Sequence, residues 1–280
     1  MDEFGKIKFE NLDELNQNIN RLPAARAEIL PPEVLKMYAN ASKFHIIQNT
    51  EEPFRIHNIV SERYDVVQHA DVAKSIVSTF GELGLEEYSG EINWLRYGAR
   101  LSVKMYQKKP SEVTMPNGRE EIRHGIMFWN SYDRSTSVGA GYAGVRIFCT
   151  NQMTARRLEL RSSKRHVGIE VIAEFMKKAI NHIREFQPEF EKMIVEAASS
   201  RVEDDIQAVL ERLGIGPRAG NKIVEKPTLK GKQMYTVYDL YNALTDYASH
   251  EIADKPNLSQ SYLNLADEIL TTPQILVKAT

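Results

Sequence analysis

The chain has 280 residues, 42% of them hydrophobic, and a formal net charge of −2, enough apolar material for one large domain or two small ones. Its single cysteine, Cys149, and seven scattered histidines exclude a disulfide framework and a cysteine-rich zinc site, so neither metal nor other cofactor is expected. No apolar run approaches the roughly 20 residues of a membrane helix, and the acidic N-terminus is unlike a secretion signal, which points to the cytoplasm and away from a membrane.

Residues 1–42 read as a helical lead-in. Leu12, Leu15, Ile19 and Leu22 recur at near-helical spacing up to Pro23, and Pro31-Pro32 starts a short helix through Leu35, Met37 and Tyr38. An α+β core is expected over residues 43–190. Phe44 to Gln48, Phe54 to Val60 and Tyr64 to Val67 read as short strands, and Val72, Ile76, Val77 and Phe80 mark a helix from His69 to Leu83. From Trp94 to Tyr106 the odd positions are mostly apolar while Arg96, Arg100, Lys104 and Tyr106 share the other parity, the signature of one long half-buried strand. Asn117-Gly118 supplies a hairpin turn into a second strand, Ile122 to Asn130. A third, at Ala143, Val145, Ile147 and Cys149, carries Tyr142, Arg146 and Phe148 on its opposite face. The expected architecture is an antiparallel β-meander backed by a long helix. That helix carries Ile169, Ile172, Met176, Ile180 and Ile183 on one stripe, with a kink or restart at Pro188. Before it, Arg156, Arg157, Arg161, Lys164 and Arg165 form a basic connector. Residues 191–280 read as all helical: Met193 to Leu213, Val237 to Ala248 and Ser261 to Leu270.

The near-neutral total conceals an asymmetry. Between Arg96 and Arg165 stand 14 Lys and Arg against 5 Asp and Glu, a surplus of 9, so the remainder carries −11. Cations interleaved with Tyr106, Tyr142 and Phe148 suit a polyanion with unstacked bases, because phosphates attract Arg and Lys while bases stack on aromatic faces.

Gly139, Gly141 and Gly144 spell a dinucleotide fingerprint, but a strand follows where a helix N-terminus is required, so these glycines are expected to serve a bend or a close backbone approach. Asp133, Arg134, Ser135, Thr136 and Ser137 form a polar cluster at a strand end, suited to phosphate or to a turn. His124 lies in basic surroundings. No phosphate-binding loop is present, and no carboxylate pair accompanies the basic region to hold catalytic metals. Leu213 to Ile223 resembles the hairpin of a helix-hairpin-helix DNA-binding motif, with Gly214, Gly216 and Pro217 in the turn and Arg218 and Lys222 beside the phosphate site. Against it stand Gly220, a poor residue inside a helix, and the alternative of an ordinary helix cap and linker.

Three stretches, Tyr64-Asp65-Val66-Val67-Gln68-His69, Asn130-Ser131-Tyr132-Asp133-Arg134-Ser135 and Val145-Arg146-Ile147-Phe148-Cys149-Thr150-Asn151, resemble the domain-of-unknown-function family numbered nine hundred and thirty-two, found on phages and plasmids. The usual family wording has His where Tyr132 stands and Gly where Arg134 stands. The resemblance implies a mobile-element protein and assigns no catalytic residue. The order of three strands and a long helix also resembles single-strand annealing proteins. The resulting expectation is a non-enzymatic protein that binds DNA, single strands above all, in recombination, annealing or replication, and that forms a homo-oligomer. Its contacts would be Arg96, Arg100, Lys104, Arg134, Arg146 and the basic connector for phosphates, and Tyr106, Tyr142 and Phe148 for bases. An enzyme acting on nucleotides or nucleic acid through Asp133, Arg134 and His124 is a second expectation. A module whose basic face meets an acidic host protein is a third.

Overall fold

Period-two patterns dominate the first half of the chain, and most of them become strands. The computed structural model describes residues 4–30, 33, 43–52, 54–62, 64, 66–85, 87–116, 118–146, 152–159, 169–202, 204–232, 234–253 and 255–276. In chain order these form β1 (Phe4–Phe9), α1 (Leu12–Asn18), β2 (Ala25–Ile29), β3 (Phe44–Asn49), β4 (Ile56–Ser61), α2 (His69–Glu82), β5 (Tyr88–Leu95), β6 (Arg100–Gln107), β7 (Ser111–Met115), β8 (Gly118–Ser131), β9 (Gly139–Arg146) and β10 (Gln152–Glu159). Then come α3 (Ile169–Ser199), β11 (Arg201–Val202), α4 (Ile206–Arg212), α5 (Pro217–Val224), β12 (Tyr235–Thr236), α6 (Val237–Asp246), a π-helical turn (Tyr247–Glu251) and α7 (Pro256–Thr271). The fold is α+β, with antiparallel sheets, a long helix and C-terminal helices. Among the described residues no helix is long and apolar enough to cross a membrane.

The main sheet runs β1-β5-β6-β8-β9-β10, with β7 paired to β8. A second sheet runs β2-β3-β4, and β11 pairs β12. The chain divides into two compact units, each discontinuous in sequence: residues 1–108, 125–141 and 157–183 in one, 109–124, 142–156 and 184–280 in the other.

In the first unit, Ile92, Leu101, Val103, Met105, Ile126 and Phe128 are buried on one face of the main sheet. Phe80 of α2 meets that face edge-on, its ring 5.0 Å from Tyr88 and 6.2 Å from Phe128. The opposite parity holds Arg100, Ser102, Lys104 and Tyr106, all half-buried. The alternation read in the sequence therefore governs β6. It does not make one strand of Trp94 to Tyr106, because residues 96–99 form a turn joining β5 to β6. The helical lead-in is likewise corrected: β1 and β2 flank the seven residues of α1, while most of 31–42 lies outside the described residues. The described part of Tyr64 to Val67 is not strand.

In the second unit, Asn242, Leu240, Tyr241, Ala243 and Leu244 are buried along α6, whose N-terminus Thr236 and Asp239 close with a reciprocal capping box. Here the expected Met193 to Leu213 helix divides. It stops at Ser199 and restarts where Asp205 accepts the amides of Gln207 and Ala208 at 3.0 and 3.1 Å. Pro188 does not restart α3, which runs unbroken from 169 to 199. Buried Phe186, Phe190 and Ile194 on either side hold it, outweighing the one backbone bond a proline removes. The basic connector is in part β10, since Gln152–Glu159 is a strand.

Candidate functional site

The first two of the three motif stretches come together in the first unit, at the end of the main sheet where β8 runs out. Asn130, the penultimate residue of β8, donates to Val67 O at 2.9 Å and approaches His69 Nδ1 at 3.0 Å. The other ring nitrogen of His69 lies 2.9 Å from Gly98 O. The His69 amide donates to the Tyr132 hydroxyl at 2.9 Å, and that hydroxyl donates to Pro23 O at 3.0 Å or Gln68 Oε1 at 3.2 Å. His69 and Tyr132 stack with centroids 3.9 Å apart. Burial drives His69 down to about 3 despite the Gly98 contact, so it is neutral, and burial pushes the Tyr132 hydroxyl up, so it keeps its proton.

Beneath this network, Ala25, Ile47 and Val60 of the small sheet pack on Tyr132. A bulge in β4 pairs Ile47 with Asn58 and Gln48 with Ile56, leaving His57 as the extra residue, and its ring stacks on Tyr132 at 5.8 Å. Bulges re-aim side chains in this way. His57 Nε2 is buried without a hydrogen-bond partner. Burial lowers its pKa, while the nearby Asp133 opposes the shift.

Above the network sits a charged rim. Asp133 accepts from Arg100 at 2.8 Å, Arg96 at 3.3 Å and the Ser135 amide at 3.0 Å, and Asn58 donates to its carbonyl at 2.7 Å. Burial would raise the Asp133 carboxyl, but Ser135 and Arg100 outweigh it and hold it below the usual range. The Arg55 guanidinium, paired with Glu52, lies 3.5 Å from the Tyr97 ring centroid and 5.5 Å from that of Phe54. Arg134 is exposed, 5.9 Å over Tyr64. The rim thus sets Arg55, Arg96, Arg100 and Arg134 against Glu52 and Asp133. Among the described residues the only non-glycine positions with positive φ are Arg96 (53°), Tyr97 (57°) and Arg134 (57°), all in this rim. Left-handed backbone at such residues costs on the order of 1–3 kcal/mol each and concentrates at functional sites.

The expected phosphate row on β6 is partly neutralised. Arg96 and Arg100 share Asp133, and Lys104 pairs with Glu91 at 3.4 Å, beside the Lys6–Glu91 pair at 2.5 Å. Half-buried cations require such counterions. Burial lowers the Lys104 ammonium, with Glu91 opposing. Tyr106 is half-buried on the same face. Tyr142 does not stand on a binding face as expected. It is fully buried in the second unit, its hydroxyl 2.8 Å from His124 Nδ1 and its ring 4.5 Å from Phe190, so no base reaches it. His124, whose Nε2 lies 2.8 Å from Glu191, belongs to that buried trio and not to the Asp133 rim. Arg146, Arg156 and Arg157 lie on β9 and β10; Phe148, Arg161, Lys164 and Arg165 fall outside the described residues. The glycines of β9 lie in strand rather than a bend, and the close approach at Gly139 is to a side chain, since a Cβ there would come within 2.3 Å of the Trp129 ring.

Also in the second unit, α4 and α5 flank the expected turn. Gly214 has φ +75°, Gly216 is the N-cap of α5, Pro217 its first residue, and Arg218 is exposed. Lys222 pairs with Glu251 at 2.9 Å. Gly220 is buried opposite Gln207 and Leu210, which places a residue of low helix propensity at the α4–α5 contact.

The sequence did not single out Arg55, His57, Asn58 or Tyr97. Their signal was weak: one bulge, and a turn in which only Gly98 of the three positive-φ positions is a glycine. A protein-family model described as a domain of unknown function, DUF932, matches residues 56–270 of the chain. No curated protein and no solved structure matches it.

Proposed function

Since the chain belongs to the DUF932 family, whose activity is unknown, its function has to be argued from its own residues, and we propose that it binds single-stranded nucleic acid at the Arg96–Arg134 rim. The observation carrying this reading is the convergence of two separate motif segments on one rim, where arginines and aromatic rings are displayed on strained backbone over a rigid buried network. Guanidinium groups beside aromatic faces suit phosphates and unstacked bases together. The further reading is DNA, handled in recombination, annealing or replication on a phage- or plasmid-like element, with no cofactor.

Titrating a labelled oligonucleotide at several salt concentrations tests the proposal. Arg96→Glu with Arg134→Glu should weaken binding and reduce the slope of log K against log salt by about 1.4, two phosphates at roughly 0.7 each for a single strand. Both side chains are exposed, so the fold should persist. Unchanged affinity in that folded variant rejects the rim.

For the second unit we propose a contact with duplex backbone at the turn Gly214 to Arg218, supported by the positive φ of Gly214 and the exposed Arg218. Gly216→Val should then weaken double-strand binding more than single-strand binding. The enzymatic alternative is favoured by one feature, the unpartnered His57 Nε2 beside Asp133. Cleavage of a single strand by the wild type, lost on His57→Gln, would establish it.

A further inference from the structure

Among the described residues the large apolar side chain most open to solvent is Phe54, at 78% exposure. It stands in the turn between β3 and β4, and that turn is braced. The Asn49 side-chain oxygen accepts the amides of Glu51 and Glu52 at 2.8 and 2.9 Å, the Asn49 amide donates to Arg55 O at 3.0 Å, and the Arg55 amide donates to Glu52 O at 2.8 Å. Two side chains tie the turn to the one that joins β5 to β6. The Arg55 guanidinium, paired with Glu52, lies 3.5 Å from the Tyr97 ring centroid, and the Asn49 side chain donates to Tyr97 O at 3.4 Å. The backbone beneath Phe54 is therefore fixed at the edge of the rim. An exposed ring forgoes the stabilisation that a buried phenylalanine gives, and none of these hydrogen bonds needs a ring at this position.

Size and charge narrow what the ring meets. One aromatic side chain offers roughly 150–250 Å², a fraction of the about 800 Å² that each partner of a specific protein interface buries. A nucleobase, in contrast, covers a single ring face to face. The Arg55 cation lies 5.5 Å from the Phe54 centroid, within cation–π range, and Arg96, next to Tyr97, is exposed. Cations beside the ring attract the phosphates on either side of a stacked base.

We infer that Phe54 stacks on an unpaired base of the strand held by the rim. This contact rests on the rim's binding of a single strand, proposed above, and makes the ligand one recognised through its bases as well as its phosphates. Duplex is disfavoured, because paired bases keep their faces inside the helix and present only their edges to the grooves. Sequence preference is weak, since every base has a π-face.

Two strands of equal length and charge separate stacking from charge: an oligodeoxynucleotide, and the same sugar-phosphate chain with a base-free analogue at every position. Titrated with the full chain, Phe54→Ala should bind the base-bearing strand about 5- to 150-fold more weakly than the wild type, the weight of one base stack. Its slope of log K against log salt and its affinity for the base-free strand should not change. Phe54→Trp should restore the affinity, and the fluorescence of the new indole should be quenched by the base-bearing strand alone. The ring is exposed, so the fold should persist in both variants. A folded Phe54→Ala variant that binds the base-bearing strand like the wild type, or that loses affinity equally for both strands, overturns the inference and leaves the rim standing. A wild type that binds neither strand rejects the rim, and the stack with it.

Discussion

His69 closes the network between the two motif segments, and its charge state ties the fold to pH. Unfolded, the imidazole titrates near 6.5; folded, burial holds it near 3. The unfolded chain therefore takes up a proton over this window that the folded chain refuses. Stability is fully present above about pH 6.5 and is lost as pH falls toward 3, at about 1.4 kcal/mol per pH unit. Denaturant titrations at pH 7 and pH 5 should show a loss on the order of 2 kcal/mol. His69→Gln should remove most of that difference, leaving what His57 and His124 contribute, since burial lowers both. Asp133 acts in the opposite sense on binding. Asp133→Asn keeps an acceptor for the Ser135 amide yet removes the counterion of Arg96 and Arg100. Oligonucleotide affinity should rise and its salt slope should steepen; equal or weaker binding would show that the carboxylate positions the arginines for the ligand.

Two glycines show how element contacts decide a substitution. On β5, a Cβ at Gly90 would come within 1.9 Å of the Lys104 backbone oxygen and 2.8 Å of Phe9. Backbone cannot yield there, so Gly90→Ala should destabilise by about 3 kcal/mol or more. On α5, a Cβ at Gly220 meets nothing closer than 3.5 Å, and Gly220→Ala should stabilise by roughly 0.5–1 kcal/mol through helix propensity and unfolded-chain entropy. Thermal melts of both variants check the contrast. The same physics explains where the sequence misled. Tyr97 and Ala99 continue the apolar parity of β6, and the turn's positive-φ positions include Arg96 and Tyr97, so only Gly98 signals a reversal. The spacing of Leu12 to Leu22 describes α1 and its following turn, but the flanking β1 and β2 are too short to show a period. Alternation in β6 was legible because Leu101, Val103 and Met105 face a packed core.

At the scale of the molecule, the α+β class could be read from local patterns, whereas the full order of elements and their grouping could not. The second unit draws in residues 109–124 and 142–156 besides the C-terminal helices, and the Tyr238 hydroxyl bonds the Glu120 carboxylate. A fragment of residues 191–280 alone should consequently lack a cooperative thermal transition; a sharp melt would show it to be autonomous. The candidate rim was half legible. Asn130, Asp133 and Arg134 lie in segments that the family resemblance marks, but their meeting with Arg55 and His57 depends on a bulge in a different sheet, which neither periodicity nor charge counting registers.

Arg134 stands on backbone with φ 57°, a conformation that glycine adopts without strain. Arg134→Gly should relieve on the order of 1 kcal/mol while removing an exposed cation from the rim. Directed evolution for heat resistance alone would enrich that replacement, and the survivors would be sturdier proteins with a poorer grip on the nucleic acid proposed to bind the rim.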